Sequence, residues 1–258
     1  MSVISLLSDF GSVYPAQMKG VILNIDPTAV LVDIAHDIPP QNITAGAFAL
    51  MITIPYFPEG TIHLAVIDPG VGSDRRPVLV ESGGHLLVGP DNGLLIPAAY
   101  RLSQDIVVRK ITNEDLFSTV SFTFHGRDIF APVAAYLSNG LKPSDIGEEI
   151  KDYVKLDFAT PQVKDKRVLA RVIFIDGFGN LITNISGEHI LNFFNYNDKL
   201  VVENRIISLV HTYTQVKSGE MLMLIGSHGY LEISINSGNA AAQLGLGIGD
   251  QLWLSAHQ

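Results

Sequence analysis

Val66-Ile67-Asp68-Pro69-Gly70-Val71-Gly72-Ser73-Asp74-Arg75-Arg76-Pro77 is the stretch that decides how this chain folds. The apolar run that feeds it, Ile62 to Ile67, reads as a buried strand. The run stops at a carboxylate, turns through Gly and Pro, and meets two arginines. Open α/β sheets build ligand sites in this way, with strands delivering polar residues at their carboxyl ends. The same device recurs at Leu6-Leu7-Ser8-Asp9-Phe10-Gly11 and at Val172-Ile173-Phe174-Ile175-Asp176-Gly177. A further polar cluster, His125-Gly126-Arg127-Asp128, stands in an apolar context.

Outward from these points, strand-like and helix-like segments alternate. Val3 to Leu7, Val30 to Ile34, Thr61 to Ile67, Val78 to Glu81, Leu86 to Val88 and Ile106 to Ile111 read as strands. Ala16 to Ile25, Ala45 to Ile54, Leu95 to Tyr100 and Asp128 to Leu137 read as helices, with Asn42 as a cap and Pro55 as a stop. This alternation predicts an α/β domain with a mainly parallel sheet and helices on both faces. Leu141 to Lys166 is polar and reads as a linker. Beyond it, short strands at close spacing, from Val168 to Ile175 through Gln251 to Leu254, predict a β-rich domain, an antiparallel barrel or sandwich. The expected division is 1–155 and 156–258.

The 258 residues, 47% hydrophobic and 17% charged, suffice for a sizeable core. A net charge of -9 argues against nucleic acid as a partner, which needs a basic surface. Cysteine is absent, so no thiolate metal site or disulfide forms, which fits a reducing compartment. No signal peptide is read at the start, and the uncharged run from Ala45 to Tyr56 is too short to span a bilayer. The expectation is a cytoplasmic protein with no membrane partner.

Asp9 at a strand end has the chemistry to accept two hydrogen bonds from a vicinal diol; the plainer reading is a turn or cap carboxylate. Asp68, Arg75 and His125 together suit the orientation of one water molecule. Separately, each is a turn residue or a satisfied loop histidine. Phe178 offers a planar ring a stacking face, and Asp176 and Asn180 offer polar contacts at its edge; a Gly-rich hairpin is the alternative. Ser227-His228-Gly229-Tyr230 offers turn amides to a carboxylate. Asp9, Asp33, His36, Asp68, His85, Asp91, His125 and Asp128 are of metal-ligating type, but no pair has the spacing of a metal motif, and no metal is expected.

Taken in order, Ser8-Asp9-Phe10-Gly11 with Ala16-Gln17-Met18-Lys19-Gly20, Asp68-Pro69-Gly70-Val71-Gly72, Pro90-Asp91-Asn92-Gly93-Leu94, His125-Gly126-Arg127-Asp128 and Asp176-Gly177-Phe178-Gly179-Asn180 resemble the S-adenosylmethionine hydroxide adenosyltransferases, relatives of the fluorinase and chlorinase enzymes. The resemblance covers nearly the whole chain. It implies an α/β domain and a β-rich domain assembled as a homotrimer, with the substrate between the first domain of one subunit and the second of its neighbour. It implies hydrolysis of S-adenosylmethionine to adenosine and methionine by water attacking C5′, with no cofactor. It places the water-positioning group on Asp68, Arg75 and His125; the chemistry of a departing sulfonium then makes His125 the expected proton acceptor, with Asp68 orienting the water. It places ribose binding on Asp9, and the methionine end and adenine on Asp176, Phe178 and Asn180. Ser227 and His228 match its Ser-basic pair, and Tyr230 completes that turn.

The halogenases carry an uncharged residue in place of Asp68 and a hydroxyl residue in place of Gly126. Both differences favour water over halide, because a carboxylate repels an incoming anion. The loop Gly11 to Ala16 is shorter than that of the family and lacks its acidic and hydroxyl residues, which bears on the methionine end. A non-catalytic adenosine or S-adenosylmethionine binder, a halide-using adenosyl transferase and a metal-dependent nucleoside hydrolase are the competing readings.

Overall fold

The computed structural model describes residues 2–257 apart from 159, 165, 166 and 203. It divides into two compact units, Met1–Leu156 and Asp157–Gln258.

In the first unit, β1 (Val3–Ser8), β2 (Val30–Ala35), β3 (Ile62–Val66), β4 (Pro77–Ser82), β5 (His85–Pro90) and β6 (Ile106–Lys110) form a sheet of order β2-β1-β3-β5-β4-β6. The pairs β1–β2, β1–β3 and β3–β5 are parallel, while β4 runs antiparallel to β5 and β6. The helices are α1 (Tyr14–Ile25), α2 (Ile43–Thr53), α3 (Ile96–Leu102) and α4 (Ala131–Ser138). Period-2 alternation turns Ile4, Leu6, Ile62 and Leu64 to one face, where they pack with Met18 and Ile22 of α1 and Val133 and Ala134 of α4. Helices α2 and α3 pair with each other, and Gly46 lets α2 approach so closely that an added Cβ would meet the Ile67 side chain at 2.0 Å.

Local chemistry sets the boundaries. Asn42 caps α2 by accepting from the Ala45 amide at 2.9 Å. Pro55 ends the α-helical geometry, and a single 3-10 turn, Ile54–Tyr56, follows. The segment before α4 differs from the expected continuous helix. Gly126–Phe130 is a π-helical turn, a rare form that interrupts helices at functional positions.

Residues 141–156 are not the expected linker. Ile146 is fully buried, Glu149 bridges to Arg109, and Asp152 takes two hydrogen bonds of 3.0 Å from Arg76, so this polar stretch is tied to the first unit. One apolar anchor and ion pairs hold it, a pattern without period in the sequence.

The second unit holds β7 (Gln162–Lys164), β8 (Arg167–Ile175), β9 (Leu181–Ser186), β10 (Lys199–Val202), β11 (Arg205–Leu209), β12 (Met221–Ile225), β13 (Tyr230–Ile235) and β14 (Gln251–Ala256), with short helices α5 (Gly187–Leu191) and α6 (Ala240–Leu244). The order is β14-β10-β11-β12-β13-β9-β8-β7, and a β14–β8 pairing closes seven strands into a barrel. Of the two forms expected, the barrel is the one present, and closure removes the sheet edges. The pair β11–β12 is parallel, a departure from an all-antiparallel barrel. Val168, Leu181, Leu200, Leu209, Met223 and Ile233 fill its interior. No helix among the described residues is long and apolar enough to cross a membrane.

Candidate active site

Strands β1 and β3 are parallel neighbours in register, Ser8 opposite Val66, so Asp9 and Asp68 emerge from the same edge of the sheet. Asp68 opens a tight turn in which the Val71 amide returns to the Asp68 carbonyl at 3.2 Å and the Ser73 hydroxyl caps Gly70 O at 2.7 Å. Gly72 takes φ +80, and a Cβ there would meet the Phe122 carbonyl oxygen at 2.6 Å, so only glycine suits the position. The next turn, Pro90 to Gly93, braces this loop: Asn92 Nδ2 donates to the Ile67 carbonyl at 2.8 Å.

The turn brings Arg75 back onto Asp68. Arg75 Nε donates to Asp68 Oδ1 at 3.1 Å, and Nη2 donates to Oδ2, a bidentate pair with side chains only 7% and 4% exposed. The same Nη2 donates to His125 Nδ1 at 3.0 Å, and the guanidinium lies 5.3 Å from the Phe130 ring centre. Arg75 Nη1 is buried with no hydrogen-bond partner. Burial, followed by the Arg75 charge, pushes the His125 pKa down, with Asp68 and Asp128 opposing. The ring is therefore neutral near pH 7. Because Arg75 can only donate, Nδ1 is the acceptor and the ring proton belongs on Nε2. This changes the role expected for His125: its one lone pair is already taken by Arg75, so it presents a donor to the site rather than a base.

Phe10 and Gly126 follow Asp9 and His125 directly in the chain. A Cβ at Gly126 would meet the rings of Phe10 and Phe124 at 3.2 Å each. Phe10, Tyr14 and Phe124 form an edge-to-face cluster with centroids 5.4 to 6.4 Å apart. Asp9 Oδ2 accepts from the Gln41 amide at 2.7 Å.

Arg76 belongs to the framework, not to this group. It donates to Asp91 Oδ2 at 2.6 and 2.9 Å, and Asp91 Oδ1 accepts from the Val154 amide at 2.8 Å. Both Asp91 oxygens are thus engaged. Both ring nitrogens of His36 are also in hydrogen bonds, to Ser8 and Asp33. Among the described residues, no three His, Asp or Glu side chains are grouped to hold a metal ion.

The second unit carries a cavity of about 510 Å³ lined by Asp176, Phe178, Asn180, Tyr213, Ile235 and Asn236 among others. Asp176 shapes the turn that lines it: Oδ1 accepts from the Phe178 and Asn180 amides at 2.9 Å each, and Oδ2 accepts from Asn180 Nδ2 at 2.9 Å. This is the hairpin of the plainer reading, yet it presents Phe178 to the cavity with 79% of its surface exposed. Gly179, at φ +82, passes within 2.3 Å of the Asn239 amide from its Cβ position, which no side chain tolerates.

Ser227, His228 and Tyr230 are not among the residues lining this cavity. His228 instead pairs with Glu232, its Nε2 3.4 Å from Oε2, while its Nδ1 accepts from the Tyr230 amide at 3.1 Å. Glu232 is buried at 4% exposure and also accepts from Tyr213 at 2.7 Å and Ser234 at 2.6 Å. Burial works against its charge, but the bonds from His228, Ser234 and Tyr213 prevail and lower its pKa. Tyr213 and Glu232 escaped the sequence reading. The one available signal is the charged Glu232 within the apolar run Tyr230 to Ile235.

The family model for the SAM hydroxide adenosyltransferase N-terminal domain matches residues 4–147, and that for the C-terminal domain matches 170–253. The chain is 38% identical over 258 residues to the (R)-S-adenosyl-L-methionine hydrolase of Salinispora tropica, covering 98% of this chain and 97% of that protein. It is 38% identical over 270 residues to the protein of the same name from Methanocaldococcus jannaschii, covering 98% and 95%. A fluorinase of Actinopolyspora mzabensis is more distant, 24% identical over 275 residues, covering 93% and 92%. The crystal structure of an uncharacterized conserved protein from Thermotoga maritima superposes with a TM-score of 0.90 at 34% identity, covering 98% of this chain and 99% of that chain. The chain belongs to the SAM hydroxide adenosyltransferase family.

Proposed function

We propose that this protein hydrolyses S-adenosyl-L-methionine to adenosine and L-methionine, by in-line attack of one water on C5′. The observation that carries the reading is the buried Asp68–Arg75–His125 chain at a strand end. The substrate's sulfonium leaves as a neutral thioether, so the enzyme has little bond chemistry to supply. It holds a water opposite the sulfur and takes up its proton. Asp68 accepts both arms of the Arg75 fork, and its spare lone pairs accept from the water. His125 Nε2–H is a donor suited to one lone pair of the water oxygen, which leaves the other to attack C5′. The oxygen–carbon bond forms as the carbon–sulfur bond breaks, and the proton leaves through Asp68 to solvent.

Asp9 suits the ribose hydroxyls, and the cavity of Phe178, Asn180 and Tyr213 suits adenine, with Asp176 beside the methionine end. Ser227, His228 and Tyr230 enter this reading only as the turn behind Glu232. These two half-sites lie in different units, and each shows an exposed aromatic, Phe122 at 84% and Phe178 at 79%. A homotrimer that shares sites between subunits gives both a cover. The reading needs no cofactor, because water is the nucleophile and the sulfonium is its own leaving group.

Incubation with S-adenosylmethionine, with and without chelator and with added chloride, tests the reading. Adenosine and methionine in equal amounts, unaffected by chelator, support it. Binding without turnover, a 5′-chloro product, or adenine that appears only without chelator would each point to one of the competing readings instead.

A further inference from the structure

Four side chains form an unbroken line toward Asp9. Lys19 Nζ of α1 donates to Asp33 Oδ2 of β2 at 2.6 Å. His36 Nε2 is 3.0 Å from Asp33 Oδ1, and His36 Nδ1 is 2.8 Å from the hydroxyl of Ser8, the fully buried residue that precedes Asp9. Burial opposes the Asp33 charge, but the bonds from Lys19 and His36 outweigh it and lower its pKa. An ionised Asp33 must accept, so His36 carries its proton on Nε2 and takes the Ser8 O–H at Nδ1. The line has one direction, and the Phe10 amide feeds into it, donating to Ser8 Oγ at 3.4 Å.

The segment that carries His36 holds the Asp9 loop at two further points. The Gly11 amide donates to the His36 carbonyl at 2.8 Å, and the Gln41 amide donates to Asp9 Oδ2 at 2.7 Å. Gln41 follows Pro40 in a turn closed by the Asn42 amide on the Pro39 carbonyl at 3.0 Å, and its φ is +62. Pro at the second place and positive φ at the third mark a type II turn, where glycine or asparagine is usual. A glutamine kept there is local strain beside a site residue, a pattern that accompanies preorganisation. The fold uses a second serine–histidine pair, Ser5 with His63 at 2.6 Å, inside the core. The Ser8–His36 pair differs in that the next residue along the chain is Asp9.

We propose that His36 is a positioning residue for Asp9, clasping its loop through the ring to Ser8 and through the carbonyl to Gly11, and so setting affinity for the diol end of the substrate. The proposal rests on the hydrolase reading above and adds to it a residue that touches no reacting atom.

Steady-state kinetics with S-adenosylmethionine and calorimetric titration with adenosine test it on His36→Ala, His36→Asn, His36→Gln and the milder Ser8→Ala. His36→Ala is expected to raise KM and the adenosine Kd about tenfold, the scale of one lost positioning hydrogen bond, with kcat within about twofold. Ser8→Ala should move in the same direction. Asn places an acceptor where Nδ1 was and should restore binding; Gln, which reaches toward Asp33 instead, should not. In an Asp9→Ala background, His36→Ala should add nothing further. Unchanged KM and Kd, a loss of kcat and folded protein at constant KM, or full additivity with Asp9→Ala would overturn the proposal. If the wild type releases no adenosine, the hydrolase reading fails, while the adenosine Kd series still decides the role of His36.

Discussion

Arg75 Nη2 donates to His125 Nδ1 across 3.0 Å while the same guanidinium grips both oxygens of Asp68. One side chain therefore fixes the tautomer of the histidine and the orientation of the carboxylate. Lysine has no fork to do both. Arg75→Lys is expected to lower kcat by about 10²-fold or more with a small change in KM, because what is lost is orientation of the nucleophile. Arg75→Ala also leaves a buried carboxylate unpaired, which costs about 3–5 kcal/mol and should show as a lower Tm.

The pH profile carries the same relationship. His125 has its pKa pushed below the ordinary histidine range by burial and then by Arg75. Protonating Nδ1 would break its bond with Arg75. The acid limb of kcat/KM should therefore lie below pH 6.5, activity being lost as pH falls through the folded value. Arg75→Met removes the one charge that depresses the His125 pKa and should move any residual acid limb upward. A limb at or above pH 6.5 in the wild type would count against the assignment.

Gly126 is a steric requirement. Its Cβ position is 3.2 Å from both Phe10 and Phe124, and Phe10 adjoins Asp9. Gly126→Ser should disturb the aromatic cluster and raise KM several-fold, with a Tm loss of a few degrees, about 1 kcal/mol of overpacking. A serine variant with wild-type KM and Tm would show that this loop yields freely.

A separate pair reports on stability. His63 is fully buried between Ser5 and His85, and burial, with a smaller contribution from His85, lowers its pKa to about 3. The unfolded state binds a proton near pH 6.5 that the folded state refuses until about pH 3. Stability is therefore full above pH 6.5 and falls as pH drops, by about 2 kcal/mol from this residue at pH 5. Thermal melts should show this slope, and His63→Gln, which cannot protonate, should flatten it.

Much of this was legible in the sequence because strand ends are chemically abrupt. Val66-Ile67-Asp68 passes from apolar to charged in one step, and Asn42 and Pro55 announce the limits of α2. Asp68, Arg75 and His125 met as expected, since a seven-residue turn returns Arg75 to Asp68 and the α4 loop brings His125. The partners of His228 and Tyr230 were not legible. Glu232 draws in Tyr213 from a loop 19 residues away, and nothing local in the sequence encodes that pairing. Residues 141–156 were misread because polar composition resembles a linker even where one buried Ile146 and the Arg76–Asp152 pair dock it. Helices α5 and α6 have five residues each, too few to show a helical period.

Reaction in ¹⁸O-labelled water with S-adenosylmethionine, followed by mass spectrometry of the products, identifies the nucleophile. Adenosine should carry one heavy oxygen at its 5′-hydroxyl, methionine should be unlabelled, and Asp68→Asn should lose this product. Unlabelled adenosine, adenine, or 5′-methylthioadenosine in its place would contradict attack by water on C5′.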